Sequence, residues 1–203
     1  MAARAAIILA AGQGTRMRSS LPKVLHRVGG RAMVDWSIEL ARVVGCSQIV
    51  VVANPNVEAE CQIAYQDPPL GTGHAVGCAR DVLAGFVGDI VVLYGDTPLI
   101  QPSSIEALFA KLKGGATVGV LGFEAANPGA YGRLVTDRDG QLNGIVEARE
   151  ATPEQRQITL CNSGVMAAPS DVLFSLLSRI TNDNAKQEYY LTDIVALARQ
   201  DEQ

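Results

Sequence analysis

Short apolar runs rich in β-branched residues alternate along this chain with stretches of helical apolar spacing, which restricts it to a parallel sheet covered by helices on both faces. Ala6 to Leu9 reads as the first strand, followed by Ile49 to Ala53, Ile90 to Tyr94 and Thr117 to Phe123. Helical spacing occupies Ala32 to Val44, Gly73 to Leu83 and Ser103 to Lys113, the last with Ser103 or Ser104 as its cap. Trp36 falls within an apolar helical pattern and is expected in the core. Only the eight residues 54–61 separate Ala53 from a short strand at Gln62 to Tyr65. A parallel crossover normally takes about a dozen or more, so this one should be minimal or irregular.

From Pro128 the pattern changes to short alternating pieces. Arg133 to Thr136 and Leu142 to Val146 flank the turn Asp137-Arg138-Asp139-Gly140, which reads as a hairpin. A strand near Gly164 to Ala167 and helices at Ser170 to Arg179 and Thr192 to Arg199 complete the pattern. The expected class is α/β: a doubly wound, mostly parallel sheet with a small β-hairpin lobe over it, forming a single domain over residues 1–203.

With 48% hydrophobic and 19% charged residues, the composition is that of a globular chain and excludes disorder, collagen and coiled coil. Arg4 followed by Ala5 to Ala11 imitates a short signal peptide, but Gly12, Gly14, Arg16 and Arg18 stand where a small-residue cleavage site would fall. That run is also far shorter than the roughly 20 residues of a membrane-spanning helix, so no membrane partner is expected. Cys46, Cys61, Cys78 and Cys161 contain no C-x-x-C pair, and only His26 and His74 could join them in a zinc site. Disulfides are open on spacing, but reduced thiols and a cytoplasmic location are the simpler reading.

A formal net charge of −4 argues against a general nucleic-acid binder. The charge is uneven: residues 1–42 carry +5 and the remainder −9. A compact cationic segment suits a small anionic ligand, a solvated basic face being the alternative.

The segment Leu9-Ala10-Ala11-Gly12-Gln13-Gly14-Thr15-Arg16-Met17 leaves a buried strand and enters a glycine-rich loop, where backbone amides can approach a ligand closely. Met17 takes the place of the third glycine in G-x-G-x-x-G, and no P-loop sequence is present. Pro22 and Gly29-Gly30 keep the loop from feeding a long helix, so the loop itself must be the cradle. Arg16 and Lys23 on it supply a planar fork and a point charge for a triphosphate, against the alternative of a turn with exposed cations. Open α/β sheets hold ligands outside the carboxyl ends of their strands, which favours the phosphate reading.

Leu9-Ala10-Ala11-Gly12-x-Gly14-Thr15-Arg16-Met17 followed by Leu21-Pro22-Lys23 resembles the signature loop of the sugar-phosphate nucleotidylyltransferases. Gly71-Thr72-Gly73-His74-Ala75, Tyr94-Gly95-Asp96-x-Pro98-Leu99, Tyr131-Gly132-Arg133, Ile145-Val146-Glu147, Asn162-Ser163-Gly164 and Glu188-Tyr189-Tyr190-Leu191-Thr192-Asp193 follow in that family's order. The set is similar to the uridylyltransferase half of bacterial bifunctional N-acetylglucosamine-1-phosphate uridylyltransferases over residues 6–197. The resemblance implies a Rossmann-like nucleotidyltransferase fold. It implies transfer of a uridylyl group from UTP to N-acetylglucosamine 1-phosphate, giving pyrophosphate and the UDP-N-acetylglucosamine used for peptidoglycan and lipopolysaccharide precursors.

By that resemblance Leu9, Ala10, Ala11, Gly12 and Lys23 line the nucleotide cradle, and Gln66, the Gly71 backbone and Thr72 read the uracil edge. A primary amide suits the task, since uracil presents an N–H between two carbonyls. As bare features, Gln66 would be a surface loop residue and Thr72 a helix cap, while His74 reads as helix packing ahead of proton transfer. Tyr94, Gly95 and Asp96 belong to the phosphate and metal region, and Asp96 matches the family's Mg²⁺ ligand. On its own Asp96 is equally a turn residue ahead of Pro98. Gly132, Glu147 and Asn162 match positions that hold the N-acetylglucosamine moiety, with Tyr189, Tyr190 and Thr192 on the pocket wall.

The implied catalytic residues are Arg16, Lys23 and Asp96, with Mg²⁺ as cofactor. The family's second metal ligand, an Asn beyond the last matched helix, and its hexapeptide-repeat acetyltransferase half fall outside these 203 residues. Neither acetyl transfer nor the usual basis for trimers is therefore expected of this sequence. A non-catalytic UDP-sugar binder and an enzyme for another sugar 1-phosphate are the alternatives, with a dinucleotide oxidoreductase ranked lower because of Met17.

Overall fold

In the computed structural model, which describes residues 2–12, 14 and 17–201, the first apolar run forms β1 (Ala3–Ala10), buried from Ala5 onward. Such a run has no polar alternation because both of its faces are covered. It pairs in parallel with β4 (Gln48–Ala53) on one side and β6 (Gly88–Tyr94) on the other, and β5 (Gln62–Tyr65) extends the parallel set beyond β4.

Beyond β6 the direction reverses. β10 (Leu160–Pro169) runs antiparallel to β6 and also pairs with β7 (Gly119–Glu124) and β8 (Arg133–Thr136), which forms a hairpin with β9 (Leu142–Val146). These eight strands form one mixed sheet, parallel in the order β5-β4-β1-β6. The hairpin expected as a lobe over the sheet is thus its far margin, joined where Cys161 of β10 pairs with Arg133.

Successive β1 side chains point to opposite faces and divide the core in two. Ala6 and Ile8 pack with Val34, Ile38 and Ala41 of α1 (Met33–Val43) and Ile105 and Phe109 of α3 (Pro102–Lys113). Ile7 and Leu9 pack with Val76 of α2 (Thr72–Cys78), Leu173 and Leu176 of α4 (Ser170–Leu177) and Ile194 of α5 (Asp193–Gln200). This is the doubly wound arrangement.

Several local expectations are corrected. The cap of α3 is neither Ser103 nor Ser104: Pro102 begins the helix, where its missing N–H costs nothing, and Gln101 precedes it without a side-chain cap. α2 stops at Cys78 instead of Leu83, because Gly77 weakens its last turn and three-residue bonds such as Arg80 N to Gly77 O take over. Trp36 is 36% exposed. Its Nε1 donates to Val28 O at 2.9 Å, clamping a two-stranded ribbon of β2 (Arg27–Val28) and β3 (Arg31–Ala32). Gly29 and Gly30, at φ +60° and +82°, make the ribbon's turn. The β4-to-β5 connection is irregular as expected, with Val57 tucked into the core and Asn54 Oδ1 accepting from Asn56 N at 2.9 Å.

Candidate active site

β1 and β6 end side by side at Ala10 and Tyr94, and Gly95 N donates to Leu9 O at 2.9 Å just beyond β6. A Cβ on Gly95 would lie 3.1 Å from a Val24 methyl, so glycine lets the chain turn tightly beneath the loop after β1. Ser37 Oγ and Thr97 Oγ1 both donate to Tyr94 O, at 2.8 and 3.1 Å, and fix the strand end from which Asp96 emerges.

Gly14, in the loop after β1, lies against the segment carrying Lys23. Gly14 sits at φ +60°, and a Cβ there would come within 2.6 Å of Lys23 Cβ. Lys23 Nζ then reaches Asp96 Oδ2 at 2.5 Å, both side chains being partly exposed. Asp96 Oδ1 accepts no hydrogen bond among the described residues. The pair stands at a cavity of about 350 Å³ at the carboxyl ends of the strands, the side where open α/β sheets hold ligands.

The cavity brings together most of the residues singled out in the sequence. Leu9, Ala10, Ala11, Gly12, Lys23, Gln66, Gly71, Thr72, Tyr94 and Asp96 all line it. Gln66 follows β5 and its backbone N–H donates to Ala53 O at 3.0 Å, which places it at the same sheet edge. It is buried, not the surface loop residue that its local sequence suggests. Its Nε2 donates to Gly71 O at 2.8 Å and lies 3.0 Å from His74 Nδ1. Arg16 lies outside the described residues.

The wall around Gly71 is held from a distant part of the chain. Tyr189 N donates to Leu70 O at 2.8 Å, Gly73 N to Tyr189 O at 2.8 Å, and Leu191 N to Thr72 Oγ1 at 3.0 Å. Gly71 has φ +110°, and a Cβ there would sit 2.6 Å from Tyr189 O. The Glu188-to-Asp193 motif therefore braces the loop with its backbone, and Glu188 itself lines the cavity. Sequence reasoning missed Glu188 and His74 as site residues; their places inside the Glu188-Tyr189-Tyr190 and Gly73-His74-Ala75 motifs were the available signal.

Gly132, Glu147 and Asn162 come together beside the cavity without lining it. Asn162 N donates to Gly132 O at 2.9 Å, Asn162 Oδ1 accepts from Gly164 N at 2.9 Å, and a Cβ on Gly132 would lie 3.7 Å from Glu147 Oε1. Burial pushes the Glu147 carboxyl above its ordinary range, with Lys186 opposing and Glu150 and Glu188 adding. Tyr94 joins the two groups: it lines the cavity, and a Cβ on Gly164 would touch its ring at 2.7 Å. Burial raises its hydroxyl to about 12, helped by the charges of Asp96 and Glu147 and opposed by a hydrogen bond with Thr72.

Among the described residues no three His, Cys, Asp or Glu side chains cluster as a metal site. The carboxylates that line the cavity are Asp96 and Glu188, and carboxylate oxygens suit a hard ion that completes its shell with phosphate and water. Asp96 Oδ2 is held by the Lys23 ammonium, and its Oδ1 faces no donor among the described residues.

Comparison with known proteins places the chain in a family. Residues 6–150 match the MobA-like NTP transferase domain. The chain is 59% identical over 206 residues to the bifunctional protein GlmU of Hyphomonas neptunium, covering 97% of this chain and 45% of that protein. It is 53% identical over 207 residues to the protein of that name from Rhodospirillum rubrum, covering 98% of this chain and 46% of that one. The chain thus spans a little under half the length of these relatives. Among solved structures, a UDP-glucose pyrophosphorylase complexed with UDP-glucose superposes with a TM-score of 0.78 at 18% identity, over 98% of this chain and 88% of that one. The Acinetobacter enzyme of the same name gives 0.75 at 20% identity, over 98% and 83%. These structural likenesses establish the fold, and the domain match, which extends from β1 past the hairpin, establishes that the chain belongs to the MobA-like NTP transferase domain family.

Proposed function

We propose that the chain transfers a uridylyl group from UTP to N-acetylglucosamine 1-phosphate, releasing pyrophosphate and UDP-N-acetylglucosamine. The observation that carries this reading is that the Lys23–Asp96 pair, 2.5 Å apart, and Gln66 line one cavity at the strand ends. The likeness to proteins named GlmU supports the choice of nucleotide and sugar.

A sugar phosphate monoester, with a second pKa near 6, is ionised at neutral pH and needs no general base. One of its oxygens attacks the α-phosphorus of UTP in line as the bond to the bridging oxygen breaks, and that electron pair leaves on pyrophosphate. Positioning and charge neutralisation are the whole of the protein's task. Lys23 and Arg16 neutralise the triphosphate, and the amides of Ala11, Gly12 and Gly14 approach it closely. Gly71 and Gln66 hold the base, while Gly132, Glu147 and Asn162 bind the amino sugar. Asp96 would hold a divalent cation, proposed to be Mg²⁺, which when bound neutralises charge on the reacting phosphates.

The product would enter peptidoglycan and lipopolysaccharide precursors. We place the reaction in the cytoplasm, consistent with the four free cysteines; among the described residues no helix is long and apolar enough to cross a membrane.

The test is pyrophosphate release with UTP, Mg²⁺ and a panel of sugar 1-phosphates. Release is expected with N-acetylglucosamine 1-phosphate above all others. No release with any sugar would make the chain a nucleotide-sugar binder, and preference for another sugar would overturn the substrate.

A further inference from the structure

Gln66 is 5% exposed and its amide is held at two points. Nε2 donates to Gly71 O at 2.8 Å and faces His74 Nδ1 at 3.0 Å. A backbone carbonyl can only accept, so this amide cannot be turned over without setting oxygen against oxygen. With the NH₂ group so placed, His74 Nδ1 serves as its acceptor, while Nε2 lies 3.9 Å from Cys78 Sγ. Both amide hydrogens are then used. Oε1 accepts nothing among the described residues, and Gln66 lines the cavity.

The wall that an incoming base meets therefore offers an acceptor from Gln66, not the donor and acceptor that a free amide would offer. Uracil has an N–H on its ring edge to meet an acceptor. Cytosine has a lone pair at the same ring nitrogen, which Oε1 would repel. We infer that His74 is a specificity-determining positioning residue: by occupying the second N–H of Gln66 it keeps the amide oxygen toward the base and so selects uracil over cytosine. The inference rests on the reading of this cavity as the nucleotide site. Without the imidazole, Gly71 O alone anchors the amide, and a freed N–H becomes available to a cytosine ring nitrogen.

The experiment is equilibrium binding of UTP and CTP to the full chain by titration calorimetry, for the wild type, His74→Leu and His74→Asn. Leucine removes the acceptor, whereas the asparagine amide oxygen can stand near the place of Nδ1. The UTP-to-CTP affinity ratio is expected to fall roughly tenfold in His74→Leu, the worth of one hydrogen bond, and to be largely restored in His74→Asn. A purely structural role for His74 would weaken both nucleotides together and leave the ratio unchanged, which overturns the inference while leaving the nucleotide site intact. Failure of the wild type to bind either nucleotide would instead overturn the reading of the cavity, and this role of His74 with it.

Discussion

Lys23 Nζ lies 2.5 Å from Asp96 Oδ2, so the side chains assigned to the triphosphate and to the divalent cation are each other's partners in this structure. On the proposed function, nucleotide binding exchanges this contact for two others: ammonium to phosphate, and carboxylate to cation. Because both groups are partly exposed, the pair itself contributes little to stability, about 0–1 kcal/mol, and its strength lies in placing opposite charges at one cavity.

Lys23→Met should lower kcat/KM for UTP by something on the order of 10², as expected for loss of a donor to developing negative charge. It should also let Asp96 bind Mg²⁺ more tightly without nucleotide, because the competing ammonium is gone. Steady-state pyrophosphate release and Mg²⁺ titration measure the two effects. Turnover within twofold of wild type would remove Lys23 from the reaction.

Asp96→Ala should abolish Mg²⁺-dependent turnover while leaving circular dichroism and the melting temperature close to wild type. A normal Mg²⁺ requirement in this variant would contradict the assignment of Asp96.

Gly71→Ala tests the brace. The left-handed backbone at φ +110° and the 2.6 Å approach to Tyr189 O leave no room for a methyl group. We expect a stability loss of about 1–3 kcal/mol with a raised KM for UTP, read by denaturant titration and initial rates. An unchanged KM would mean that the Tyr189 contact does not shape the base pocket.

Glu147→Gln should move stability and affinity in opposite directions. Burial raises the folded carboxyl pKa above its unfolded value, so the folded state keeps a proton that the unfolded state has already released, and stability falls as pH rises through that interval. Glutamine removes this loss. Its melting temperature should exceed wild type at pH 7, with the difference closing as pH falls below the ordinary carboxylate range of about 4.3. The KM for the sugar phosphate should rise roughly tenfold to a hundredfold with loss of a charged hydrogen bond. A lower melting temperature at pH 7 would contradict the stated effect of burial.

The parts of the site legible in the sequence are those fixed by local chemistry. A buried run without polar alternation could only be an interior parallel strand, and the glycines and cations directly after it pointed to an anion at its end. Asp137 made the hairpin readable for a similar reason: its Oδ1 accepts from Asp139 N and Gln141 N at 3.0 and 2.9 Å, closing the turn from within. Trp36 was misread because helical spacing reports a face of the helix and not what covers it. The ribbon that meets its indole comes from residues before the helix. The Gln66–His74 contact was hidden because eight residues and a loop separate two side chains that pair only after β5 and α2 are in place. The bracing of Gly71 depends on Tyr189, far along the chain, and no local pattern encodes it.

The central claim is that one cavity receives the base at Gln66 and the triphosphate between the glycine-rich loop and Asp96. A crystal structure of the chain with UTP and Mg²⁺ tests it most directly. The account predicts the uracil N–H on Gln66 Oε1, the phosphates against the loop and Lys23 drawn from Asp96 toward them. Uridine nucleotide bound anywhere else on the sheet, or with Lys23 still paired to Asp96 and the phosphates pointing away, would contradict it.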